Sequence, residues 1–398
     1  MKILVINAGS SSLKYQLIEM ETEAVIAKGL CERIGLGGKI IHKTDKGSAQ
    51  YDADFPTHQQ AFEELVKALS TGGPAVISSM SEIAAVGHRV VQGSDRFSAS
   101  ALIDEDMLNT LESLNDLAPL HNPANIMAIR ACMNVFSKDV PQVAVFDTAF
   151  HQTIPEKAYI YPIPYELYEK HRIRRYGFHG SSHRYVSTRV AELIGKPLFQ
   201  LKVITCHLGN GSSIAAVDRG KSIDTTMGLT PLEGIAMGTR CGSIDPSIVT
   251  FLMEKESLDI KGVNDLMNKQ SGYLGISGLT NDLRDLHEAA AKGNKRAELA
   301  LEILKYQLLK YIGSFAAAMG GVDVVVFTGG IGENSHKIRL GACAGLEFMG
   351  IELDEEVNKD VFSREVEISK PGSRVKVWVV PTNEELVIAR DTKEIAGL

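Results

Sequence analysis

The pattern of apolar and polar positions repeats itself across the chain. Two apolar runs, residues 2–7 and 13–18, flank a turn rich in Gly and Ser in KILVINAGSSSLKYQLI. The same order returns past the middle in LKVITCHLGNGSSIAAVDRG. Short aliphatic and β-branched runs bounded by Gly/Ser clusters predict strands joined by a hairpin. Asn7, Gly9 and Ser12 match His207, Gly209 and Ser212 at a constant offset of 200. A third apolar run, VDVVVFTGGIGEN, ends in another glycine-rich turn. The duplicated hairpins and the third turn together predict a nucleotide held in a cleft between two related lobes.

Further strands are expected in Glu23–Ile34 and on to about residue 53, around the GLGG turn. Residues 57–70 carry Ala61, Leu65, Ala68 and Leu69 at helical spacing, and Thr71-Gly72-Gly73-Pro74 stops that helix. IAAVGHRVV reads as a buried strand, 104–117 as an amphipathic helix opened by Asp104, and HNPANI as the start of a helix reaching about Phe136. VPQVAVFDTAFHQ reads as a strand ending at Asp147. Beyond about residue 150, YIYPIPYELYEKHRIRRYGFHGSSH has no clean periodicity and marks a lobe boundary. The helix 296–319 places Leu301, Leu304, Leu308 and Ile312 on one stripe, and Gly320-Gly321 ends it. After VWVV, a Pro turn leads to a last helix capped by Thr382 or Asn383. Alternating strands and helices give an α/β class with at least two mixed sheets. The predicted lobes are 1–150, completed by the C-terminal helix 383–398, and 151–382.

At 398 residues the chain exceeds one ordinary core, in keeping with two domains. Lys and Arg number 42 against 49 Asp and Glu. That acidic balance argues against a nucleic-acid surface, which needs a basic stripe. The one basic cluster, His-Arg-Ile-Arg-Arg at 171–175, reads as a local patch, with a role near an anionic ligand as the alternative. No apolar run approaches the roughly 20 residues that span a bilayer. The N-terminus enters a glycine turn too early for a signal peptide. Cys31, Cys132, Cys206, Cys241 and Cys343 are odd in number and widely spaced, the usage of reduced thiols in a cytosolic enzyme.

Phosphates approached by backbone N–H groups need residues without Cβ where the chain comes close. NAGSSS and HLGNGSS meet this need, and Lys14 can add a point charge. Either turn alone is explained by a tight surface hairpin; the pair with TGGIGEN favours the nucleotide. Neither a GxxxxGK[ST] loop nor a GxGxxG after a first strand is present.

NAGSSSLK and ITCHLGNGSSIAAVDRG resemble the two signature segments of the acetate kinase family, within the actin–hexokinase–Hsp70 superfamily. HNP, FDTAFH, GFHGSSH, GTRCGSIDP, TGGIGEN and TNEEL follow in family order over essentially the whole chain, and neither signature departs from the pattern. The resemblance implies two duplicated ribonuclease-H-like lobes closing over a nucleotide cleft. It implies a cytoplasmic, homodimeric, Mg²⁺-dependent kinase (Mn²⁺ as an alternative ion) that converts ATP and acetate reversibly to ADP and acetyl phosphate.

Residue by residue, the resemblance makes Arg89 the carboxylate anchor and Arg240 the clamp on the moving phosphoryl group, roles suited to a planar, permanently charged guanidinium. His179 would donate a hydrogen bond to an equatorial phosphoryl oxygen; direct in-line transfer is preferred over a phosphohistidine. Asp147 would orient Arg240 or the waters of the metal, with capping of a turn as the bland alternative. Asn7 and Glu384 would hold Mg²⁺, with Glu385 as a confounder. Nucleotide contacts would come from Lys14, His207, Gly209, Asn210, Gly211, Asp282, Leu283, Arg284, Gly330, Ile331, Gly332, Glu333 and Asn334. On a helix, Asp282 and Arg284 would point in different directions, so a turn or helix start suits them better; Asp282 is also a good N-cap. Val91, Leu120, Phe178 and Pro231 would form a small pocket for the alkyl end, beside His121. Three rivals remain at this level. They are a propionate or butyrate kinase, a non-catalytic actin- or Hsp70-like switch, and a sugar kinase, which would want a carboxylate base for a hydroxyl.

Overall fold

The computed structural model describes residues 1–119 and 121–398. The chain divides into two compact units, Met1–Phe150 with Asn383–Leu398, and His151–Thr382.

The first unit is built on β1 (Lys2–Ala8), β2 (Ser12–Glu19), β3 (Ala24–Glu32), β4 (Lys39–Thr44), β5 (Gly47–Asp52), β6 (Ile83–Val90), β7 (Ala101–Leu102) and β8 (Gln142–Phe146). They form one sheet in the order β5-β4-β3-β2-β1-β6-β8-β7. β1 and β2 pair antiparallel from Lys2↔Glu19 to Ala8↔Leu13, whereas β1, β6 and β8 run parallel. Successive side chains of a strand face opposite ways, and β1 uses both. Leu4 and Ile6 join a core with Leu65 and Ala128 of the helices His58–Ser70 and Asn122–Val135. Ile3 and Val5 join Ile388 and Ala389 of the last helix, Glu384–Ile395. That helix approaches β6 closely at Gly87, where an added Cβ would lie 2.3 Å from Thr392 Oγ1.

The second unit contains β9 (Lys202–Leu208), β10 (Ser212–Asp218), β11 (Lys221–Thr225), β12 (Val324–Thr328), β13 (Val366–Glu367) and β14 (Lys376–Val379), in the order β11-β10-β9-β12-β14-β13. One face of β9, with Ile204, Cys206 and Leu208, packs on Leu301, Leu304, Leu308 and Ile312 of the helix Lys295–Met319. The other face carries Thr205 and His207, which bond to the helix Gly180–Ile194. The run β3-β2-β1-β6-β8 and the run β11-β10-β9-β12-β14 share order and strand direction. β1 and β9 both begin and end 200 residues apart. The fold is therefore α/β with two duplicated lobes of the expected type.

Two local expectations change. The helix expected over 104–117 is Glu105–Glu112 followed by a 3₁₀ turn, Asn115–Leu117, although Asp104 does cap it by accepting from Met107 N–H at 2.8 Å. The irregular stretch after 150 runs into the helix Gly180–Ile194, which begins at His179, itself in the left-handed region (φ 56°).

Candidate active site

In the first unit the apolar strands β6 and β8 end side by side, and their ends carry Arg89 and Asp147. Arg89 Nε donates to Asp147 Oδ1 at 2.9 Å and Nη2 to Oδ2 at 2.6 Å. Nη1 donates to Asn7 Oδ1 at 3.3 Å, at the end of β1. Asp147 is 1% exposed. Burial disfavours the charge on Arg89, but the coulombic attraction and hydrogen bonds of Asp147 more than offset it, and the guanidinium is held more firmly charged than usual. Asp147 thus orients Arg89, because parallel pairing of β6 with β8 brings the two strand ends together. A guanidinium has five N–H donors, so two remain for an anionic ligand.

Glu384 opens the last helix in the same unit. Burial first, then the neighbouring Asp147 and Glu385, push its carboxyl up to about 7 against the opposing pull of Arg89 and Lys14. Among the described residues no group of three or more His, Cys, Asp or Glu is arranged to hold an ion. Mg²⁺ needs only one or two protein oxygens beside waters and phosphate. Asn7 and Glu384, the two oxygen donors expected from the sequence, would fit that need, and the carboxylates crowded around Glu384 would favour a cation. Lys14, opposite Asn7 in the register of β1 and β2, lies in this unit as well.

The backbone here is tied by the HNPANI helix. Asn125 Oδ1 accepts from Val91 N–H and its Nδ2 donates to Ala8 O, while Asn122 bonds both backbone groups of Gln92. The sequence pointed to this segment without assigning those two asparagines. Val91 is buried beside them. Leu120 lies outside the described residues.

In the second unit the hairpin β9–β10 turns at Gly209, whose N–H donates to Gly211 O and to Ser212 Oγ. An added Cβ on Gly211 would stand 2.8 Å from Arg240 Nη2 and 3.4 Å from His179 Nε2, so this turn, the guanidinium and the imidazole share one spot. Arg240 Nη1 donates to Pro231 O at 2.6 Å. No carboxylate pairs with Arg240 among the described residues, and burial alone lowers the hold on its proton. A half-buried cation without a counter-ion is costly unless an anion arrives. His179 Nδ1 lies 2.9 Å from Ser213 Oγ, and its ring stacks on His207 at 4.2 Å between centroids. Phe178 is buried, and its carbonyl faces His151 Nε2 at 2.9 Å.

Beside this spot lies a cavity of about 690 Å³ lined by Gly209, Asn210, Asp282, Leu283, Arg284, Gly330, Ile331 and Asn334, all expected from the sequence, and by Asn281, His287, Ser335, His336 and Lys337, which were not. Asp282 caps the helix Leu283–Ala291 through Arg284 N–H at 2.8 Å and pairs with the Arg284 side chain at 2.6 Å. The two side chains meet because the cap lies outside the helix. The Arg284 hydrogen bonds pull Asp282 down to about 2.

Glu333 and Gly332, also expected at the nucleotide, are not among the residues that line this cavity. The Glu333 carboxylate accepts from Gly329 N–H, Thr382 N–H and Ser363 Oγ, bracing the glycine turn. Gly332 is buried, its carbonyl accepting from Arg339 Nη1 at 2.9 Å. Arg339 is fully buried and spends its guanidinium on the oxygens of Gly332, Glu333, Asn358 and Val361. Nothing in its HKIRLG context signals this. Within the 171–175 patch, Arg175 donates to Thr225 O, Thr226 O and Met227 O and pairs with Glu233 at 2.7 Å, and Arg174 stacks over Tyr159 at 3.6 Å.

The model of the acetokinase family matches residues 2–390. The acetate kinase of Methanosarcina acetivorans is 60% identical over 397 residues, covering 99% of this chain and 97% of that relative. The crystal structure of Porphyromonas gingivalis acetate kinase superposes with a TM-score of 0.95 at 48% identity, covering 99% of both chains. A propionate kinase from Francisella tularensis superposes at 0.92 with 43% identity, also covering 99% of both. Two duplicated α/β lobes, matched by the family model over residues 2–390 and by a 60% identical relative over 99% of the chain, place it in the acetokinase family, kinases that transfer a phosphoryl group to a carboxylate.

Proposed function

We propose that the chain transfers the γ-phosphoryl group of ATP directly to acetate, with Mg²⁺ bound through Asn7 and Glu384. The observation that carries this reading is Arg240: a half-buried guanidinium, set against the turn at Gly211 and against His179, with no carboxylate among the described residues to neutralise it. In phosphoryl transfer, charge spreads over three equatorial oxygens, and catalysis is mostly positioning and placed positive charge. On this reading 151–382 is the nucleotide-binding lobe. The cavity at Asp282 and Gly330 takes the adenosine, and Gly209, Asn210, Gly211 and His207 approach the phosphates. Unit 1–150 with 383–398 supplies the acceptor site. Arg89, braced by Asp147, presents its remaining N–H groups to the acetate carboxylate. Val91, buried in the same unit, is assigned to the methyl end.

An acetate oxygen attacks the γ-phosphorus in line. The bond to the bridging oxygen of ADP breaks, and Arg240 and His179 hold the equatorial oxygens. Acetate is already ionised at neutral pH, so no general base is required, and Asp147 serves as the partner of Arg89. Mg²⁺, when bound, neutralises phosphate charge and helps orient the polyphosphate.

A cytoplasmic homodimer is part of the proposal. All five cysteines are free, which suits a reducing compartment. The helix Ser247–Lys255 is apolar yet buries none of its residues, leaving Ile248 and Phe251 exposed, the composition of a subunit contact. Among the described residues no helix is long and apolar enough to cross a membrane.

The test is trapping of acyl hydroxamate from ATP with acetate, propionate and butyrate, with and without Mg²⁺. Mg²⁺-dependent product with the highest kcat/KM for acetate is expected. A higher value for propionate would move the chain to the rival named by the Francisella relative, and no product with any acid would overturn the reading. Inversion at a chiral γ-phosphorus is expected, and net retention would replace direct transfer with a phosphoenzyme.

A further inference from the structure

We propose that Thr205, His183 and Ser213 are positioning residues forming a one-way hydrogen-bond relay that fixes the proton of His179 on Nε2. The proposal rests on the reading of His179 as a hydrogen-bond donor to the phosphoryl group and says how this chain sets that donor.

Three contacts define the relay. Thr205 Oγ1 lies 2.7 Å from His183 Nδ1, His183 Nε2 lies 2.7 Å from Ser213 Oγ, and the same Ser213 Oγ lies 2.9 Å from His179 Nδ1. Thr205, Ser213 and His183 are fully buried and out of reach of bulk solvent.

The direction follows from the hydroxyl at the far end. Thr205 Oγ1 has no other hydrogen-bond partner among the described residues. If His183 Nδ1–H donated to Thr205, the threonine O–H would point at no acceptor, and a buried donor left unmade is costly. Thr205 therefore donates, and His183 Nδ1 accepts. Burial, followed by the nearby His151 and His207, disfavours the charged form of His183, so its ring is neutral and carries its one proton on Nε2. That N–H donates to Ser213 Oγ. The single hydroxyl proton of Ser213 then has His179 Nδ1 as its acceptor, because a hydroxyl donates once and accepts twice. An imidazole whose Nδ1 accepts carries its proton on Nε2 in the neutral form. Nε2 is also the atom that would lie 3.4 Å from a Cβ on Gly211, beside Arg240 Nη2. The relay thus aims a donor to the side where Arg240 stands, while the opposite polarity would present a lone pair to an anion.

The experiment is ¹⁵N NMR of enzyme labelled at histidine, in the absence of substrates, with the His179 signals identified by their loss in His179→Gln. The expected spectrum has an N–H at Nε2 and an unprotonated Nδ1. A proton on Nδ1 alone overturns the relay, and so does an imidazolium at neutral pH. This measurement needs no variant of the relay itself. In Thr205→Val the Nε2–H form is expected to lose its dominance and kcat to fall roughly tenfold or more, with both KM values within about twofold. Thr205→Ser is expected to restore both readings. Full kcat with an unchanged His179 spectrum in Thr205→Val would sink the proposal. If His179→Gln itself keeps full kcat, the donor reading fails instead, and the resting spectrum still decides the relay.

Discussion

Arg89 and Arg240 are the same residue type in opposite electrostatic settings. Asp147 neutralises the first, whereas the second keeps its charge for a ligand. Arg240→Lys retains the charge but not the planar fork, and kcat is expected to fall about 10²–10³-fold with the melting temperature unchanged; equal turnover in steady-state assays would remove its role. For Glu384→Ala the expected result is a severalfold higher Mg²⁺ concentration for half-maximal rate, and an unaltered Mg²⁺ titration would count against the metal assignment. His88, buried and 2.8 Å from Gln142 Oε1, tests burial alone: desolvation lowers its pKa from 6.5 to about 4. The unfolded chain binds this proton more readily, so stability from this group is complete above pH 6.5 and is lost as pH falls toward 4, by about 3 kcal/mol. Denaturant titrations at pH 7 and pH 4.5 should show a smaller acid loss in His88→Gln than in the parent, and an equal loss would refute the attribution. The motifs around Arg89, His179 and Arg240 were legible because family signatures carry them. The partners were not: Asp147 bonding to Arg89, Thr205 behind His183, and Arg339 beneath the glycine turn are pairings across distant strands and helices, which no local pattern encodes.

Among the elements, legibility followed the apolar periodicity. The helices His58–Ser70, Asn122–Val135 and Lys295–Met319 bury aliphatic stripes and fall within a residue or two of their expected limits. The helix Gly180–Ile194 escaped because its buried face carries Ser181, Ser182, His183 and Ser187, satisfied by hydrogen bonds instead of apolar contact. The packing of the last helix is equally silent in the sequence, since Gly87 lies in VGHRVV with nothing to mark it. A Cβ at that position would meet Ile388 Cγ2 at 2.7 Å as well as Thr392. Gly87→Ala is therefore expected to destabilise the protein by about 1–3 kcal/mol through overpacking, read from the midpoint of chemical unfolding. A midpoint equal to that of the parent would mean that the helix shifts freely on its sheet.

For the whole molecule, the duplication was visible as a 200-residue offset because both hairpins keep their glycines and polar turn residues, while the surrounding helices have diverged. The exposed apolar helix Ser247–Lys255 is the feature that duplication does not explain. If the chain forms the proposed dimer through this helix, Ile248→Asp combined with Phe251→Asp should give a monomer in light scattering, with the fold retained by circular dichroism. A dimer that persists in the double variant would place the contact elsewhere. The last helix carries one more consequence. Residues 151–382 intervene in the chain between the sheet of the first unit and the helix that covers its Ile3–Val5 face. During synthesis the ribosome must therefore build the entire second unit while that face is still bare. The earliest strands to emerge are among the last to be sealed, and a chaperone that shields apolar sheet surface has its longest opportunity here.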